Sequence, residues 1–221
     1  MPKLKGHHVL RGVLTCVTGL HIGISRESIE IGGTDNPIVR HPITRLPYVP
    51  GSSLKGKIRS LLELSKCAKE VMKDGKPCGC GKAECDVCRV LGCGQAKRTE
   101  SPTRAIFRDC QLTQDSRRIL EEAYEKLGLD YAGVKAEVTI DRRTGKAHEM
   151  GPRSREVVPE GIQFDVEVVL RVFEGDNVEK DVSVIKNGFE MLKNDTLGGS
   201  GSRGYGKVSV EWTNEADVAY E

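Results

Sequence analysis

Alternation of apolar and polar residues predicts β-strands at residues 8–17, 134–140 and 162–173. The last of these segments has the clearest alternation. Its apolar positions are Ile162, Phe164, Val166, Val168, Leu170 and Val172. Residues 104–112 and a final segment with Val208, Val210 and Trp212 are also predicted to be strands.

A helical repeat of apolar residues predicts a helix over residues 52–65, with Ser52 or Ser53 as its N-cap. Its inward-facing positions are Leu54, Ile58, Leu61 and Leu62. The other two predicted helices are residues 115–127, capped by Asp115 or Ser116 and ended by Gly128, and a helix that ends near Asn194.

Without its insertions, the chain runs strand, helix, strand, strand, helix, strand. This order is the ferredoxin-like βαββαβ plan of the α+β class, which single-strand RNA-recognition modules share. Residues 66–103 interrupt the plan with a cysteine- and glycine-rich segment of little periodicity, and residues 141–161 with a polar, basic loop or hairpin tip.

The composition is that of an ordinary globular protein, with 221 residues, 38% hydrophobic and 30% charged. The net charge is only +2, but residues 1–60 hold nine basic and three acidic side chains, which suggests a side that faces a polyanion. No apolar run has the roughly 18 residues of a membrane span, and no signal peptide is visible. We expect a cytoplasmic protein whose eight cysteines are reduced.

Residues Gly51 to Lys57 spell G-x-x-x-x-G-K, the beginning of a nucleotide-binding P-loop. Ile58 follows where a P-loop has Ser or Thr, so nucleotide hydrolysis is disfavoured. The amides at a helix start still favour an anion, and nearby cations would strengthen this preference. The candidate contacts to a nucleic-acid phosphate are Ser52, Ser53, Lys55, Lys57 and Arg59.

The segment from Gly199 to Gly204 matches the dinucleotide fingerprint G-x-G-x-x-G, but it precedes a strand rather than a helix. A flexible turn is one interpretation. Close approach to a sugar–phosphate chain is the other, because glycines carry no side chain to block it. The candidate RNA contacts are Gly199, Gly201, Ser202 and Arg203, with Tyr205 as a stacking surface.

Four cysteines have the spacing C-x-C-x4-C-x2-C, typical of a structural zinc site. They are Cys78, Cys80, Cys85 and Cys88, and Cys93 is an alternative fourth ligand. Free thiols or one disulfide are the competing interpretation. Cys16 and Cys110 are predicted to lie in the core, and Cys67 has no clear assignment.

Asp35 lies in the sequence Gly-Gly-Thr-Asp-Asn-Pro, which is a turn signal in its own right. The functional alternative is a carboxylate that holds a metal ion or activates a ribose 2′-hydroxyl. His21 is the other acid–base candidate, and it is equally explained as a structural turn residue.

Together these motifs, in this order, resemble the backbone subunits of type III-A (Csm) CRISPR interference complexes in the RAMP superfamily. The resemblance implies one RAMP domain over residues 1–221, a zinc insertion over residues 66–103 and a thumb over residues 130–161 whose basic tip includes Arg142 and Arg143. It also implies a head-to-tail filament of copies along a guide (crRNA), partnered by target RNA and by other subunits of the complex.

The resemblance further implies that Asp35 cuts target RNA with Mg²⁺ or another divalent ion, alongside the structural Zn²⁺. By the same resemblance, the guide-binding role falls to His21, Lys55, Arg59 and the glycine loop with Arg203. An RNA-guided endoribonuclease is therefore expected, and a non-catalytic guide-binding scaffold is the alternative.

Overall fold

The computed structural model describes residues 2–24, 36–67, 75–82, 84–93, 102–147, 151 and 153–220. This described part contains six β-strands, four α-helices and one short 3-10 helix. The strands are β1 (Leu4–Cys16), β2 (Ala105–Phe107), β3 (Gly133–Glu137), β4 (Arg153–Val157), β5 (Gln163–Phe173) and β6 (Val208–Ala219). The helices are α1 (Gly51–Lys66), α2 (Asp86–Leu91), α3 (Gln114–Leu127) and α4 (Val178–Lys193), and the 3-10 turn is Gly201–Arg203.

Four strands form an antiparallel sheet in the order β2-β5-β1-β6. The predicted alternation of β1 is confirmed, because Leu10, Leu14 and Cys16 are all buried. Helices α1 and α4 cover this face, where Phe189 of α4 meets Trp212 of β6 edge to face at 4.9 Å between ring centroids. The chain thus has a mixed α and β fold built on an antiparallel sheet.

Strand bounds differ from the predictions where pairing, rather than alternation, decides them. β1 begins at Leu4 because Leu4 already pairs with Phe173 of β5. Gly6 then pairs with both Val172 of β5 and Ala219 of β6. The predicted strand over residues 104–112 is too long, because only Ala105–Phe107 pairs continuously with β5. Farther along that segment, the chain forms isolated bridges instead.

The predicted N-caps are wrong for two helices, whereas the predicted end of α3 is confirmed. α1 begins at Gly51 after Pro50, and the Gly51 N–H donates to the Asp109 carboxylate at 2.8 Å. In α3 the cap is Thr113, whose hydroxyl accepts from the backbone N–H of Ser116. Gly128 ends α3 in the left-handed conformation, with φ of 65°.

Strands β3 and β4 form a separate two-stranded hairpin, which belongs to the predicted thumb region. The pairing of Ile140 with Ala147 closes a turn beyond β3. Leu20, just after β1, exchanges backbone hydrogen bonds with Val158, just after β4. No helix in the described part of the chain is long and apolar enough to cross a membrane.

Two glycines inside helices provide a matched test of this packing. A Cβ atom on Gly188 of α4 would lie 2.5 Å from Cγ2 of the buried Ile58 in α1, whereas one on Gly56 would meet nothing within 4 Å. We expect Gly188→Ala to lower the free energy of unfolding by about 1–3 kcal/mol through overpacking. Gly56→Ala should raise it by about 0.5–1 kcal/mol. Denaturant titration measures both, and a shift of the same sign for the two variants would contradict the packing.

Candidate nucleic-acid interface and metal centre

His21 lies at a junction of three segments. Its Nδ1 donates to the Glu156 carbonyl at 2.8 Å, and its own carbonyl accepts from the Gly199 N–H at 2.8 Å. Because a carbonyl can only accept, Nδ1 carries the ring proton. His21 is 5% exposed, and its burial lowers its pKa and favours the neutral ring. The predicted RNA contact at His21 thus falls on a residue that also organises the protein.

The glycine loop packs closely against this junction. A Cβ atom on Gly198 would lie 2.2 Å from the His21 carbonyl oxygen, and one on Gly206 would lie 2.0 Å from that of Leu197. On Gly201, it would lie 2.1 Å from the Thr196 hydroxyl oxygen. Part of the glycine content is therefore explained by backbone packing within the protein. The RNA contacts predicted for Gly199, Gly201 and Ser202 stay predictions.

Arg203 points outward from the same loop. Its side chain is 56% exposed, and Nη1 lies 3.0 Å from a Glu137 carboxylate oxygen in β3. Its Nη2 donates to the Ser200 hydroxyl at 2.7 Å. The prediction that Tyr205 offers a stacking surface is wrong: it is 2% exposed, and the Lys135 ammonium lies 4.4 Å from its ring centroid.

The basic residues at the start of α1 have partners within the protein. The Lys57 ammonium lies 2.9 Å from the Asp195 carboxylate, which links α1 to the start of the glycine loop. Lys55 is half-buried, its ammonium is 3.4 Å from the Ala105 carbonyl oxygen, and burial lowers its pKa. The Asp109 carboxylate already accepts from the first amide of α1, so an anion of the protein sits where an RNA phosphate was expected. RNA contacts at Ser52 and Ser53, beside this amide, stay predictions.

Arg59 anchors the cysteine segment to α1. Its Nε donates to the Glu63 carboxylate at 2.7 Å, Nη1 to the Gly92 carbonyl at 2.7 Å and Nη2 to the Cys78 carbonyl at 2.8 Å. The Glu63 carboxylate also accepts from the Cys78 N–H at 3.0 Å. These contacts occupy all three guanidinium nitrogens, so they support a structural role for Arg59. Its predicted RNA contact has no comparable support.

The four cysteines predicted as metal ligands come together. The sulfur atoms of Cys78, Cys80, Cys85 and Cys88 all lie within 4.8 Å of one another. Cys78 and Cys88 are 3.7 Å apart, as are Cys80 and Cys88, and Cys78 and Cys85 are 4.0 Å apart. A zinc–sulfur bond of about 2.3 Å gives a tetrahedron edge of about 3.8 Å. The donor set therefore fits a tetrahedral zinc ion.

The thiols in and beside this cluster have pKa values shifted in both directions, and that of Cys80 is lowered. Burial raises the pKa of Cys88, and it raises that of Cys67, whose sulfur is 4.0 Å from the Cys85 sulfur, to about 12. Thiols with raised pKa values stay protonated unless a cation stabilises the thiolate. The position of Cys67 at the end of α1 makes it a neighbour of the four-cysteine cluster, an arrangement that its spacing in the sequence did not predict.

Asp35 lies outside the described residues, and the segment from Asn36 to Arg40 that follows it is described. Arg142 and Arg143 lie in the exposed turn closed by the Ile140–Ala147 bridge, where the Asp141 carboxylate accepts from the Arg143 N–H at 2.8 Å. Their predicted RNA contacts stay predictions.

Sequence analysis missed five acidic partners of the site, which are Glu63, Asp109, Glu137, Glu156 and Asp195. Of these, only the four-residue spacing of Arg59 and Glu63 along a helix was a visible signal.

The chain is similar to known proteins in sequence and in fold. A family model described as the RAMP superfamily matches residues 13–209. The chain is 41% identical over 221 residues to "CRISPR system Cms endoribonuclease Csm3" of Methanothermobacter thermautotrophicus, covering 95% of this chain and 85% of that protein. It is also 41% identical over 218 residues to the protein of the same name from Methanocaldococcus jannaschii, covering 93% and 79% of the two chains.

Solved structures with a similar fold also carry the name Csm3. A crystal structure of a "Csm3-Csm4 subcomplex in the type III-A CRISPR-Cas interference complex" has a TM-score of 0.62 at 28% identity, and the match covers 98% of this chain and 82% of that one. The crystal structure of Methanopyrus kandleri Csm3 also has a TM-score of 0.62, at 25% identity, and covers 98% and 78%.

Two arginine–glutamate pairs of equal spacing test the structural role of Arg59. The side chains of Arg59 and Glu63 are 15% and 6% exposed, whereas those of Arg117 and Glu121 are 56% and 43% exposed. We expect Arg59→Ala to cost about 3–5 kcal/mol of unfolding free energy, because it leaves a buried carboxylate unpaired. Arg117→Ala should cost about 0.5 kcal/mol or less. Equal losses in denaturant titrations would contradict the anchoring role.

Proposed function

We propose that the chain is an RNA-guided endoribonuclease of a type III-A CRISPR complex. The basis is its family, since the chain belongs to the RAMP superfamily and, within it, to the Csm3 family. In this proposal, it binds the guide RNA along its backbone and cleaves complementary target RNA at regular intervals. Relatives at 41% identity carry the name endoribonuclease, and a structural neighbour comes from a type III-A complex.

One observation carries the proposal. The segment Asn36–Arg40, which directly follows Asp35, is bonded to the same hairpin strand that holds His21. His21 in turn bonds the glycine loop. Asn36, the residue that follows the proposed catalytic carboxylate in the chain, is therefore held at the hairpin and, through His21, near the glycine loop. The exposed glycines of that loop suit a sugar–phosphate chain, because they carry no side chain to block it.

The guide would be held mainly through its phosphates. Arg203 is the exposed cation of the glycine loop. Lys57 lies near the same loop, because it forms an ion pair with Asp195 just before the loop begins. We propose that these residues, with Lys55, Ser52 and Ser53, form the guide-facing surface. Sequence selection would come from pairing between guide and target, as in other RNA-guided effectors. Arg142 and Arg143 would extend the basic surface onto the thumb.

The proposed reaction is attack by a target 2′-hydroxyl on the adjacent phosphorus. The 2′-oxygen loses its proton and bonds to phosphorus, while the bond to the 5′-oxygen breaks and that oxygen is protonated. Products are a 2′,3′-cyclic phosphate and a 5′-hydroxyl. Asp35 would orient the hydroxyl or hold a divalent ion, and the protein would contribute chiefly by positioning a kinked nucleotide. A divalent ion such as Mg²⁺ would stabilise charge on the phosphate.

We further propose that the sheet and its two covering helices form a modified ferredoxin-like core within one RAMP domain. The strand order β2-β5-β1-β6 supports it, since the two central strands are the first and third of the four core strands. Residues 66–103 would be the zinc insertion and residues 130–161 the thumb. Partners in this proposal are guide RNA, target RNA, further copies in a head-to-tail filament and other subunits of the complex.

The cysteine cluster is proposed to hold a structural Zn²⁺. The four sulfur atoms fit a tetrahedron, and four thiolates leave no coordination position for a substrate. The metal would secure a segment that is also held by the contacts of Arg59 and Glu63, by the Arg89–Asp181 ion pair and by buried apolar side chains of α2. Its role would be to fold this segment, and it would not take part in RNA cleavage.

Substitution of Asp35 tests the enzymatic proposal. We expect Asp35→Ala and Asp35→Asn to reduce single-turnover cleavage of target RNA by about 10²-fold or more, with guide binding unchanged. Asp115→Ala removes an exposed carboxylate on α3 and serves as the control. The measurement uses the assembled complex with guide and Mg²⁺. Cleavage at the wild-type rate by both Asp35 variants would support the non-catalytic scaffold instead.

Removal of ligand thiols tests the zinc site. Wild-type protein should contain zinc equimolar with the chain, and Cys85→Ser/Cys88→Ser should lose it and melt at a lower temperature. The expected loss of stability is large, because structural zinc contributes about 10–16 kcal/mol of apparent binding free energy in small domains. Elemental analysis and thermal melting provide the readouts. Cys93→Ser should keep its zinc; zinc loss in this variant would show that the ligand set is wrong.

A further inference from the structure

Glu156 in β4 contacts two separate chain segments through both its backbone and its side chain. Its N–H donates to the Asn36 carbonyl at 3.1 Å, and its carbonyl accepts from Nδ1 of His21 at 2.8 Å. One carboxylate oxygen, Oε2, accepts from the Ile38 N–H at 3.0 Å and from Nη2 of Arg40 at 3.2 Å. One hairpin residue therefore fixes four residues of the adjoining chain.

These contacts bracket the segment that contains Asp35. His21 precedes it, and Asn36, Ile38 and Arg40 follow it. The two flanks also bond each other, because the Val39 N–H donates to the Ile22 carbonyl at 2.8 Å. The position from which the chain leaves for Asp35, and the position to which it returns, are thus both set against β4.

The side-chain part of this arrangement is an almost buried ion pair. The side chains of Glu156 and Arg40 are 13% and 6% exposed. A second carboxylate, Asp130, lies 3.6 Å from the same guanidinium nitrogen but is 56% exposed. Glu156 is therefore the more buried anion beside Arg40. With a neutral side chain at position 156, Asp130 would be the one carboxylate left beside that cation among the described residues, and it is the more solvated of the two.

We propose that Glu156 is a positioning residue for RNA cleavage: it fixes Asn36–Arg40 to the hairpin, so that the placement of the hairpin on the RNA sets the position of Asp35. The inference rests on the function proposed above and adds a residue that acts through its neighbours. A reaction governed by orientation is sensitive to small displacements, and a shift of about 1 Å costs on the order of 10²-fold in rate.

Glu156→Gln is the informative substitution, because it keeps the size of the side chain and an acceptor for the Ile38 N–H while it removes the charge facing Arg40. Glu160→Gln, an exposed glutamate shortly after β4, is the matched control. The assembled complex with guide RNA and Mg²⁺ is used for all variants. We measure single-turnover cleavage of saturating target RNA, target affinity, thermal melting and hydrogen exchange of the Ile38 amide.

For Glu156→Gln we expect cleavage to slow by about tenfold to a hundredfold, with target affinity within twofold of wild type. Exchange at Ile38 should be faster, because a neutral amide oxygen accepts its N–H more weakly than a carboxylate does. Glu160→Gln should match wild type in every measurement. In an Asp35→Ala background, Glu156→Gln should have no further effect on residual cleavage, because it acts through the position of Asp35. This non-additivity is a result that a merely structural role would not produce.

Two outcomes would overturn the inference while leaving the proposed function intact. In the first outcome, Asp35→Ala loses cleavage, whereas Glu156→Gln cleaves at the wild-type rate. The other is a Glu156→Gln variant whose affinity and melting temperature fall together with its rate, which would indicate general destabilisation. If Asp35→Ala itself cleaves normally, the proposed function fails, and the inference fails with it.

Discussion

The short segment Gly19–His21 holds together the parts of the site, because its backbone bonds two different structures at once. Two of its carbonyls accept hydrogen bonds from the glycine loop. The Gly19 carbonyl accepts from the Gly206 N–H at 2.9 Å, and the His21 carbonyl accepts from the Gly199 N–H at 2.8 Å. Leu20, between them, turns both of its backbone groups to the other side and pairs with Val158 after the hairpin. This alternation continues the pattern of β1, so the sheet directly orients both the hairpin and the loop.

Charged contacts act on this backbone frame in two different ways. The partly exposed pairs, Lys57 with Asp195 and Arg203 with Glu137, connect surfaces that the backbone already places together. Pairs of this kind contribute little stability in water and can exchange their partners for a polyanion. Arg59 with Glu63 is buried, and its role is to hold the cysteine segment. The burial of a charged pair, and not the sign of its charges, therefore identifies Arg59 and Glu63 as structural.

The sequence predicted most local features of this fold and site, although it missed the local N-cap Thr113 of α3. Its other failures occur where distant segments determine the outcome. The period-two pattern of β1 and the stop at Gly128 are encoded locally, and both are confirmed. Cysteine spacing predicted the sulfur cluster for the same reason, since close-set thiols on tight turns have few ways to separate. The N-cap of α1 failed because the group that meets the Gly51 amide, Asp109, is 58 residues away. Asp35 lies outside the described residues, so its role still depends on the family resemblance.

The glycine loop shows how the structure refines an argument from composition. Its glycines were expected to admit a sugar–phosphate chain, yet Gly198, Gly201 and Gly206 are required by contacts inside the protein. Ser202, Arg203 and Gly204 face outward, and a Cβ on Gly204 would meet no atom within 4 Å. The loop therefore has a packed side and an open side. Because the packed side is fixed to His21, an RNA backbone bound at the open side, as we propose, would lie in a defined position relative to the hairpin.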